Sequence, residues 1–360
     1  MAWARWKIFL LQPKAVLSLT VLGCLFLISI FAYTLSPDKS PNANTMTLEL
    51  SAKSPGFSTS VLLLPKKVKS DSSGFWNRFW HGTPSNYTEM PINGYWKNNN
   101  KLVVRHYIDE GLEDTISVPI KELQFREPIQ ANIIKRMYWL GTDRYGRDIL
   151  SRLLIGSRVS LSVGFIAVFL SITIGIFLGS IAGYFGGWVD AVVLWFINIL
   201  WSIPTLLLVF AITITIGKGF WELFIAIGLT MWVGTARLVR GQVMSIKNLD
   251  YITSAKLMGI PSYNIIIKHI LPNIVGPLMV VASSNFAAAM LTEAGLSFLG
   301  IGIQPPQPSW GLMIKEHYNF LMTDRPFLAI IPGLALVLVV YSIHILGNVL
   351  RDYFDVKSEH

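Results

Sequence analysis

Charged residues are scarce in this sequence. They make up 14% of its 360 residues, whereas about 25% is usual for a soluble domain. The shortage is uneven, because several long runs contain no Asp, Glu, Lys or Arg, among them Ser160–Ala182, Pro272–Thr292 and Phe327–Leu350. Each run reaches the roughly 20 residues that a helix needs to cross the hydrocarbon core of a membrane. An ordinary soluble protein is therefore excluded, and we predict an all-α membrane protein with six membrane-spanning helices.

Cysteine is nearly absent as well. Cys24 stands alone in an apolar run, which excludes a disulfide framework and a cysteine-rich metal site. The Gly–Lys cluster Gly217–Gly219 lacks the spacing of a phosphate-binding loop, so the chain is not expected to hydrolyse ATP by itself. We predict no catalytic residues, no metal site and no cofactor bound by this chain, which is then not an enzyme in its own right.

The predicted spans are six apolar segments. They run from about Ala15–Leu35, Ser160–Ala182, Ala191–Ile216, Phe220–Val239, Ile274–Met290 and Phe327–Leu350. The first segment also has the basic start of a signal peptide, but its apolar run is long and no clean small-residue cleavage site follows. An uncleaved anchor is therefore favoured over a cleaved signal.

Lysine and arginine indicate the orientation of these spans. Among the short segments outside the spans, they are concentrated in the N-terminus, in the segment Arg237–Lys268 and in the tail, and such a concentration marks the cytoplasmic side. The long segment after the first span holds 17 more, but loops longer than about 60 residues do not count in this rule. The net charge of +9 then reflects contact with membrane lipid, and nucleic acid is not expected as a partner. The predicted division is a cytoplasmic N-terminus 1–14, a first span 15–35, an external insertion 36–138, a membrane core 139–352 and a cytoplasmic tail 353–360.

Small and polar residues mark particular faces of the spans. Gly175, Gly179 and Gly183 recur at intervals of four, so they share one helix face and allow another helix to approach closely. Asn285 and Glu293, on the fifth span, are candidates for lining a solute pathway, although Glu293 is equally suited to the membrane interface.

The insertion 36–138 has a different composition, rich in proline and polar residues. Alternating apolar residues predict strands at Lys101–Ile108 and Thr115–Phe125. Phe75, Trp76, Phe79 and Trp80 form an aromatic cluster. This cluster could fill a small core, rest on the membrane surface or contact a partner protein. We predict a small domain of mixed α/β structure.

The segment 241–273 contains a predicted helical elbow. Asn248 or Asp250 can cap a helix over Tyr251–Met258, after which Gly259 to Pro261 break it. Ser262 can then cap a second helix toward Ile270, which Leu271–Pro272 ends. Small residues at such a bend, Ser254 and Ala255, favour docking of a partner protein over a plain connecting loop.

This elbow resembles the cytoplasmic coupling loop of ABC importer permeases. Thr253-Ser254-Ala255 takes the place of the family's E-A-A pattern, Gly259 that of its glycine, and Leu271-Pro272 that of its L-P. The sequence departs from the pattern at Thr253, which replaces the acidic residue, and at His269, which replaces an isoleucine. The resemblance implies that the loop that couples to an ATPase includes Asp250, Thr253, Ser254, Ala255, Gly259, Pro261, Leu271 and Pro272.

Three further stretches resemble one branch of that family, the C-type permease subunit of dipeptide, oligopeptide and nickel importers. They are Gly141–Arg152 (GTDRYGRDILSR), Ala182–Asp190 (AGYFGGWVD) and Leu291–Gly311. The motif residues of the first stretch are Gly141, Thr142, Asp143, Gly146, Arg147, Asp148, Ser151 and Arg152. The insertion 36–138 is longer than is usual in the family.

The resemblance implies a type I ABC importer permease in the inner membrane, with both termini cytoplasmic. Its expected partners are a second permease subunit in a heterodimer, one or two ATP-binding subunits and an external solute-binding protein. ATP would be bound by the partner subunits only. Peptide is the expected substrate, with nickel or another small solute as the alternative. A subunit that transmits ATPase motion to an external partner, without transport, is the less favoured alternative.

Overall fold

The computed structural model describes residues 12–66, 74–123, 132–217 and 219–355. Arg5 and Lys7, Lys218, the tail beyond residue 355 and the end of the strand predicted to reach Phe125 lie outside these residues. The helices in the described part are α1 Pro13–Ile30, α2 Ala32–Leu35, α3 Phe75–His81, α4 Ile120–Leu123, α5 Ile149–Phe185, α6 Gly187–Trp201, α7 Thr205–Ile216, α8 Phe220–Ile246, α9 Asp250–Leu257, α10 Ser262–Ile265, α11 Val275–Phe298, α12 Trp310–His317 and α13 Phe327–Asp355. The strands are β1 Phe57–Pro65, β2 Tyr87–Asn98, β3 Lys101–Asp109, β4 Leu112–Pro119 and β5 Ile133–Tyr138.

The chain divides into two compact units. Unit 1 consists of Met1–Phe26, Ser160–Gln304 and Gly333–His360, and unit 2 of Leu27–Val159 and Pro305–Pro332. Unit 1 contains most of the apolar helices, and unit 2 contains the sheet.

Within the described residues, five helical segments are long and apolar enough to cross a membrane: α1, α5, α8, Ser262–Phe298 and α13. The bent pair α6 and α7 would make a sixth if counted as one span. The predicted span Ala191–Ile216 is therefore not one continuous helix, because α6 and α7 meet at an angle of 91°. Pro204 explains the break, since it lacks an N–H and keeps the residue before it out of the helical conformation.

The three glycines of α5 lie against α8. A Cβ atom added at Gly179 would stand 2.4 Å from the carbonyl oxygen of Ala236. One added at Gly183 would stand 2.7 Å from the carbonyl oxygen of Arg240. One at Gly175 would stand 2.5 Å from the Cβ atom of Thr235. The backbones of α5 and α8 are thus closer together than any larger residue would permit.

We expect Gly179→Ala to destabilise the protein. The new methyl group meets backbone rather than a flexible side chain, so the helices must separate, at a cost of about 1–3 kcal/mol. Gly241→Ala, on α8, is the matched control because nothing lies within 4 Å of its added Cβ atom. Thermal unfolding of the detergent-solubilised variants measures both. Equal melting temperatures for the two variants would contradict the close approach of α5 and α8.

Unit 2 contains a five-stranded antiparallel sheet in the order β4-β3-β2-β1-β5. Its buried core includes Leu62, Ile92, Leu102, Val104, Val118 and Leu123. Tight turns set the pairing: Asn99, at φ 50°, lies between β2 and β3, and Gly111, at φ 80°, lies between β3 and β4. These positions favour asparagine and glycine because the backbone is left-handed there. The strand predicted at Lys101 is present as β3. The strand predicted from Thr115 corresponds to β4, which begins earlier and ends at Pro119. The strands β1, β2 and β5 were not predicted.

Candidate functional site

The first arm of the elbow is the helix α9. Leu249 precedes it at the N-cap position, where no side chain bonds to the helix. The predicted cap by Asn248 or Asp250 was therefore wrong, and the Asn248 amide instead donates to the carbonyl oxygen of Met244 at 3.3 Å. Gly259 follows with φ +74° and open space around it. The turn thus requires glycine for its backbone conformation.

The second arm of the elbow continues into the next membrane helix. After α10 the chain forms a π-helical turn over Ile266–Ile270 and a 3₁₀ turn over Leu271–Ile274, and α11 begins at Val275. The prediction that Leu271-Pro272 ends the second helix was wrong. Pro272 cannot donate a backbone hydrogen bond, and the altered turns around it let the helical path continue.

The inner face of the elbow packs against α8 within unit 1. Ile252 and Ala255 are buried together with Val239 and Val243 of α8. From the second arm, Ile265 and Ile270 belong to the same cluster, as do Ile274 and Leu278 further along the chain. Ala255, predicted as a small residue on a docking surface, thus faces the chain's own interior, and its size suits that packing.

The outer face of the elbow carries large apolar side chains that the described part of the chain leaves exposed. Leu257 is 84% exposed, Met258 is 72% exposed and Tyr263 is 71% exposed. Asp250, Thr253 and Ser254 are also exposed. Exposed large apolar side chains on a framework packed from behind are typical of an interaction surface. We call Leu257, Met258 and Tyr263 the elbow patch.

Ionic contacts hold the turn 182–190 against α8. Arg240 makes a two-pronged ion pair with Asp190, with Nη2 2.6 Å from Oδ2. Lys247 donates from Nζ to the carbonyl oxygen of Gly183 at 2.9 Å, where α5 is about to end. A cation at a helix C-terminus satisfies otherwise unpaired carbonyl groups. The sequence motif in this turn therefore serves to fix the ends of two helices.

In unit 2, the motif Gly141–Arg152 forms a tight turn that leads into α5. Gly141 has φ +80°, and an added Cβ atom would stand 2.3 Å from the carbonyl oxygen of Lys53. Gly146 has φ +72°, and its added Cβ atom would stand 1.7 Å from the carbonyl oxygen of Thr47. Both positions therefore require glycine twice over, for backbone conformation and for space.

Polar side chains of the motif tie the turn to its surroundings. The Thr142 hydroxyl donates to the carbonyl oxygen of Leu50 at 2.5 Å and accepts from the Lys53 amide at 2.8 Å. Asp148 precedes α5, and its Oδ2 accepts from the Ser151 amide at 2.8 Å, as an N-cap side chain does. Ser151 in turn accepts from the Asp38 amide at 2.9 Å.

The charged residues of the motif meet in a buried network. Arg147 Nε lies 2.6 Å from Asp143 Oδ2, and Arg147 Nη2 lies 2.9 Å from Glu316 Oε2. Arg152 Nη2 lies 3.4 Å from the same Glu316 oxygen. The four side chains are between 0% and 7% exposed. The two positive and two negative charges are therefore shielded from solvent, and their sum is zero. Glu316, on α12, was not among the predicted site residues.

His317 adjoins this network and raises the question of a metal site. Ligand atoms of Asp143, Glu316 and His317 all lie within 4.8 Å of one another. Both carboxylates, however, already pair with arginines, so a metal ion would face two guanidinium groups. The His317 Nδ1 donates to the carbonyl oxygen of Met313 at 2.8 Å, and burial lowers the pKa of His317. The cluster therefore suits a structural ion-pair network better than a metal centre.

The two pathway candidates lie among packed helices of unit 1. The Asn285 amide donates to Ser171 Oγ at 2.7 Å and to Thr235 Oγ1 at 3.1 Å, which joins α11 to α5 and α8. Glu293 is 1% exposed and accepts from Ser297 Oγ at 2.7 Å. Within this chain, Asn285 therefore links three helices, and Glu293 is buried with a partner on its own helix.

The helices and the elbow correspond to a known family. Residues 175–359, just over half of the chain, match the family model described as binding-protein-dependent transport system inner membrane component. The chain belongs to this family. Its membership accounts for the several apolar helices, and the matched region includes the elbow and the glycine face of α5.

Curated relatives of this inner membrane component are similar over about 220 residues. The glutathione transport system permease protein GsiD of Pectobacterium atrosepticum is 40% identical, over 61% of this chain and 73% of the relative. The dipeptide transport system permease protein DppC of Bacillus subtilis is 38% identical, over 61% and 69%. The oligopeptide transport system permease protein OppC of Haemophilus influenzae is 41% identical, over 61% and 71%.

Among solved structures, a chain of the MetNI methionine ABC transporter in inward-facing conformations is similar to this inner membrane component. The similarity has a TM-score of 0.44 at 20% identity and covers 56% of this chain and 95% of that chain.

Proposed function

We propose that the chain is the membrane-spanning permease subunit of an ATP-driven importer of small peptides. The elbow patch carries this proposal, because a solute channel that works alone has no need of a rigidly backed apolar surface at a helical bend. Leu257 and Met258 project from a helix whose opposite side, Ile252 and Ala255, is anchored in the chain's core. Relatives named for glutathione, dipeptide and oligopeptide transport support peptide as the substrate.

The proposed partners supply functions, such as ATP binding, for which this sequence has no motif. One or two ATP-binding subunits would bind the elbow through Asp250, Thr253, Ser254, Gly259 and the elbow patch. A second permease subunit would complete the translocation pore, and a solute-binding protein would deliver peptide from outside. The proposed topology has six spans, with α6 and α7 forming one bent span. It places 1–14, the coupling loop 241–273 and the tail 353–360 in the cytoplasm and 36–138 outside.

The packing behind the elbow gives a route for coupling. Movement of the ATP-binding subunits would push on α9, and its buried residues Ile252 and Ala255 would carry that movement to Val239 and Val243 of α8. Because α8 contacts α5 through glycines, the two helices would move as one packed body, since close-packed interiors transmit strain. Access to the pore would then change when the ATP-binding subunits close and open.

Uptake by intact cells tests the proposed substrate. Deletion of the gene should abolish import of a radiolabelled dipeptide or of glutathione, and the intact gene supplied in trans should restore it. Radioactive nickel provides the comparison, because its uptake should be unaffected. Loss of nickel uptake with normal peptide uptake would reject peptide as the substrate, and normal uptake of all three solutes would reject the importer function.

A further inference from the structure

The short helix α3 carries an unusual amount of exposed aromatic surface. Phe75 is 73% exposed, Trp76 is 71% exposed and Trp80 is 50% exposed. The helix also carries Arg78 and His81 and has no acidic residue. The buried core of the sheet in the same unit is aliphatic and includes none of these side chains. The aromatic residues of α3 are therefore available to a partner outside the described part of this chain.

A single arginine fixes α3 to the end of the first membrane helix. Arg158 donates from Nε to the carbonyl oxygen of Ser29 at 2.7 Å and from Nη2 to that of Ile30 at 2.5 Å. The same guanidinium donates from Nη1 to the carbonyl oxygen of Trp80 at 2.9 Å. Ile30 is the last residue of α1, and Trp80 is in the last turn of α3. Arg158 thus caps the C-termini of both helices at once.

Two further contacts hold α3 in this place. The ring centroids of Phe31 and Phe79 are 5.9 Å apart. Gly82, directly after the helix, has φ +80°, and an added Cβ atom would stand 2.7 Å from the ring of Tyr33. The position of α3 relative to the end of α1 is therefore set by packing, by hydrogen bonds and by a required glycine.

The length of α1 gives the depth of α3 in the membrane. Its 18 residues extend about 27 Å at 1.5 Å per residue, close to the roughly 30 Å of the hydrocarbon core. A span of this length that enters the hydrocarbon core at Pro13 would place Ile30 at the opposite boundary between hydrocarbon and headgroups. The exposed apolar surface is continuous there, because Leu27 is 55% exposed and Phe31 is 44% exposed next to the aromatic residues of α3.

We propose that α3 is an interfacial helix that lies in the membrane surface, with Phe75, Trp76 and Trp80 inserted at the boundary between lipid headgroups and acyl chains. Tryptophan is enriched at this depth because its ring is apolar and its N–H is polar. Arg78 can reach lipid phosphates from the same helix. The continuity with the lipid-facing end of α1 favours lipid over a protein partner. The helix would fix the distance between the sheet of unit 2 and the membrane surface.

Fluorescence quenching in lipid nanodiscs tests this proposal. In a Cys24→Ser background, Trp76→Cys is labelled with bimane, and the chain is reconstituted with the subunits that co-purify with it. Trp96→Cys, on β2, is the matched control because Trp96 is also half exposed, at 46%. Lipid with a nitroxide near its headgroup should quench the label at position 76 several-fold more than the label at position 96. Phe75→Cys repeats the measurement at a second exposed position.

Two results would overturn the proposal. The first is equal, weak quenching by the nitroxide lipid at positions 76 and 96, which would place α3 in water. The second is a label at position 76 that neither nitroxide lipid nor aqueous iodide can quench, which would place a protein over the helix. Quenching by lipid at positions 75 and 76 alone is the result that supports an interfacial helix.

Discussion

Leu257→Glu is expected to uncouple the protein from its ATP-binding partners while leaving its own fold intact. The Leu257 side chain is 84% exposed, so a carboxylate at this position stays hydrated in the isolated chain. In the docked complex the same charge would be desolvated without a partner, which is strongly unfavourable. A central apolar residue of an interface contributes about 2–4 kcal/mol, so binding should weaken by about 30- to 1,000-fold. Co-purification of the ATP-binding subunits and peptide-stimulated ATP hydrolysis measure the effect.

Two variants serve as controls for this result. Met322→Glu introduces the same charge at a methionine that is 93% exposed in unit 2, and it should leave assembly and hydrolysis unchanged. Ala255→Glu places the charge on the buried side of α9 and should reduce the amount of folded protein. Normal co-purification and hydrolysis with Leu257→Glu would rule out the elbow patch as the docking surface. Substitutions of Gly259 are less informative, because its left-handed backbone is strained by any side chain.

The sequence predicts the membrane helices well and their interruptions poorly. Long apolar segments with few charges give the approximate positions of α1, α5, α8, α11 and α13, because a spanning helix tolerates few charged residues. Pro204 was visible, but hydropathy does not distinguish a kinked helix from two helices at 91°. Similarly, the π-helical turn before Leu271 depends on how Ile265 and Ile270 pack, which no local pattern specifies.

The strands of the sheet were also predictable only in part from the sequence. The apolar residues within Lys101–Ile108 predicted a strand there, and β3 Lys101–Asp109 is present. The continuous apolar run Val61–Leu64 lies in β1, which pairs with β2 and β5, and Val61–Leu63 are buried. Such a run does not distinguish a strand from a buried helix. The aromatic cluster of α3 was recognised from the sequence. The proposal that it contacts lipid depends on the position of α3 next to Ile30, which only the folded structure shows.

For the candidate sites, the sequence indicates which residues matter, but it does not indicate whether their side chains are buried or which residues they contact. The motif glycines Gly141 and Gly146 have the backbone conformations that glycine permits. The burial of Ala255, however, results from tertiary packing, and its small size alone does not predict whether it is buried or exposed. Glu316 lies 164 positions from Arg152, so no spacing rule connects the two. Its partners are determined by where α12 packs in unit 2.

Glu316→Gln is expected to destabilise unit 2 severely. The substitution preserves shape but leaves Arg147 and Arg152 with a single carboxylate, Asp143, in a cluster that is nearly solvent-free. Removing one partner from a buried ion pair costs about 3–5 kcal/mol, because the remaining charge is uncompensated. Glu113→Gln is the matched control, since Glu113 pairs with Arg105 at 3.7 Å near the surface and such pairs contribute about 0–1 kcal/mol.

A second substitution separates charge imbalance from a loss of shape. Arg152→Met combined with Glu316→Gln restores neutrality and leaves the Asp143–Arg147 pair at 2.6 Å intact. We expect the double variant to be more stable than Glu316→Gln alone, because a buried charge without a partner is replaced by apolar volume. Thermal unfolding and limited proteolysis of the purified protein measure the three variants. If Glu316→Gln unfolds no earlier than Glu113→Gln, the network does not stabilise unit 2, and the motif Gly141–Arg152 must be explained by its backbone turn alone.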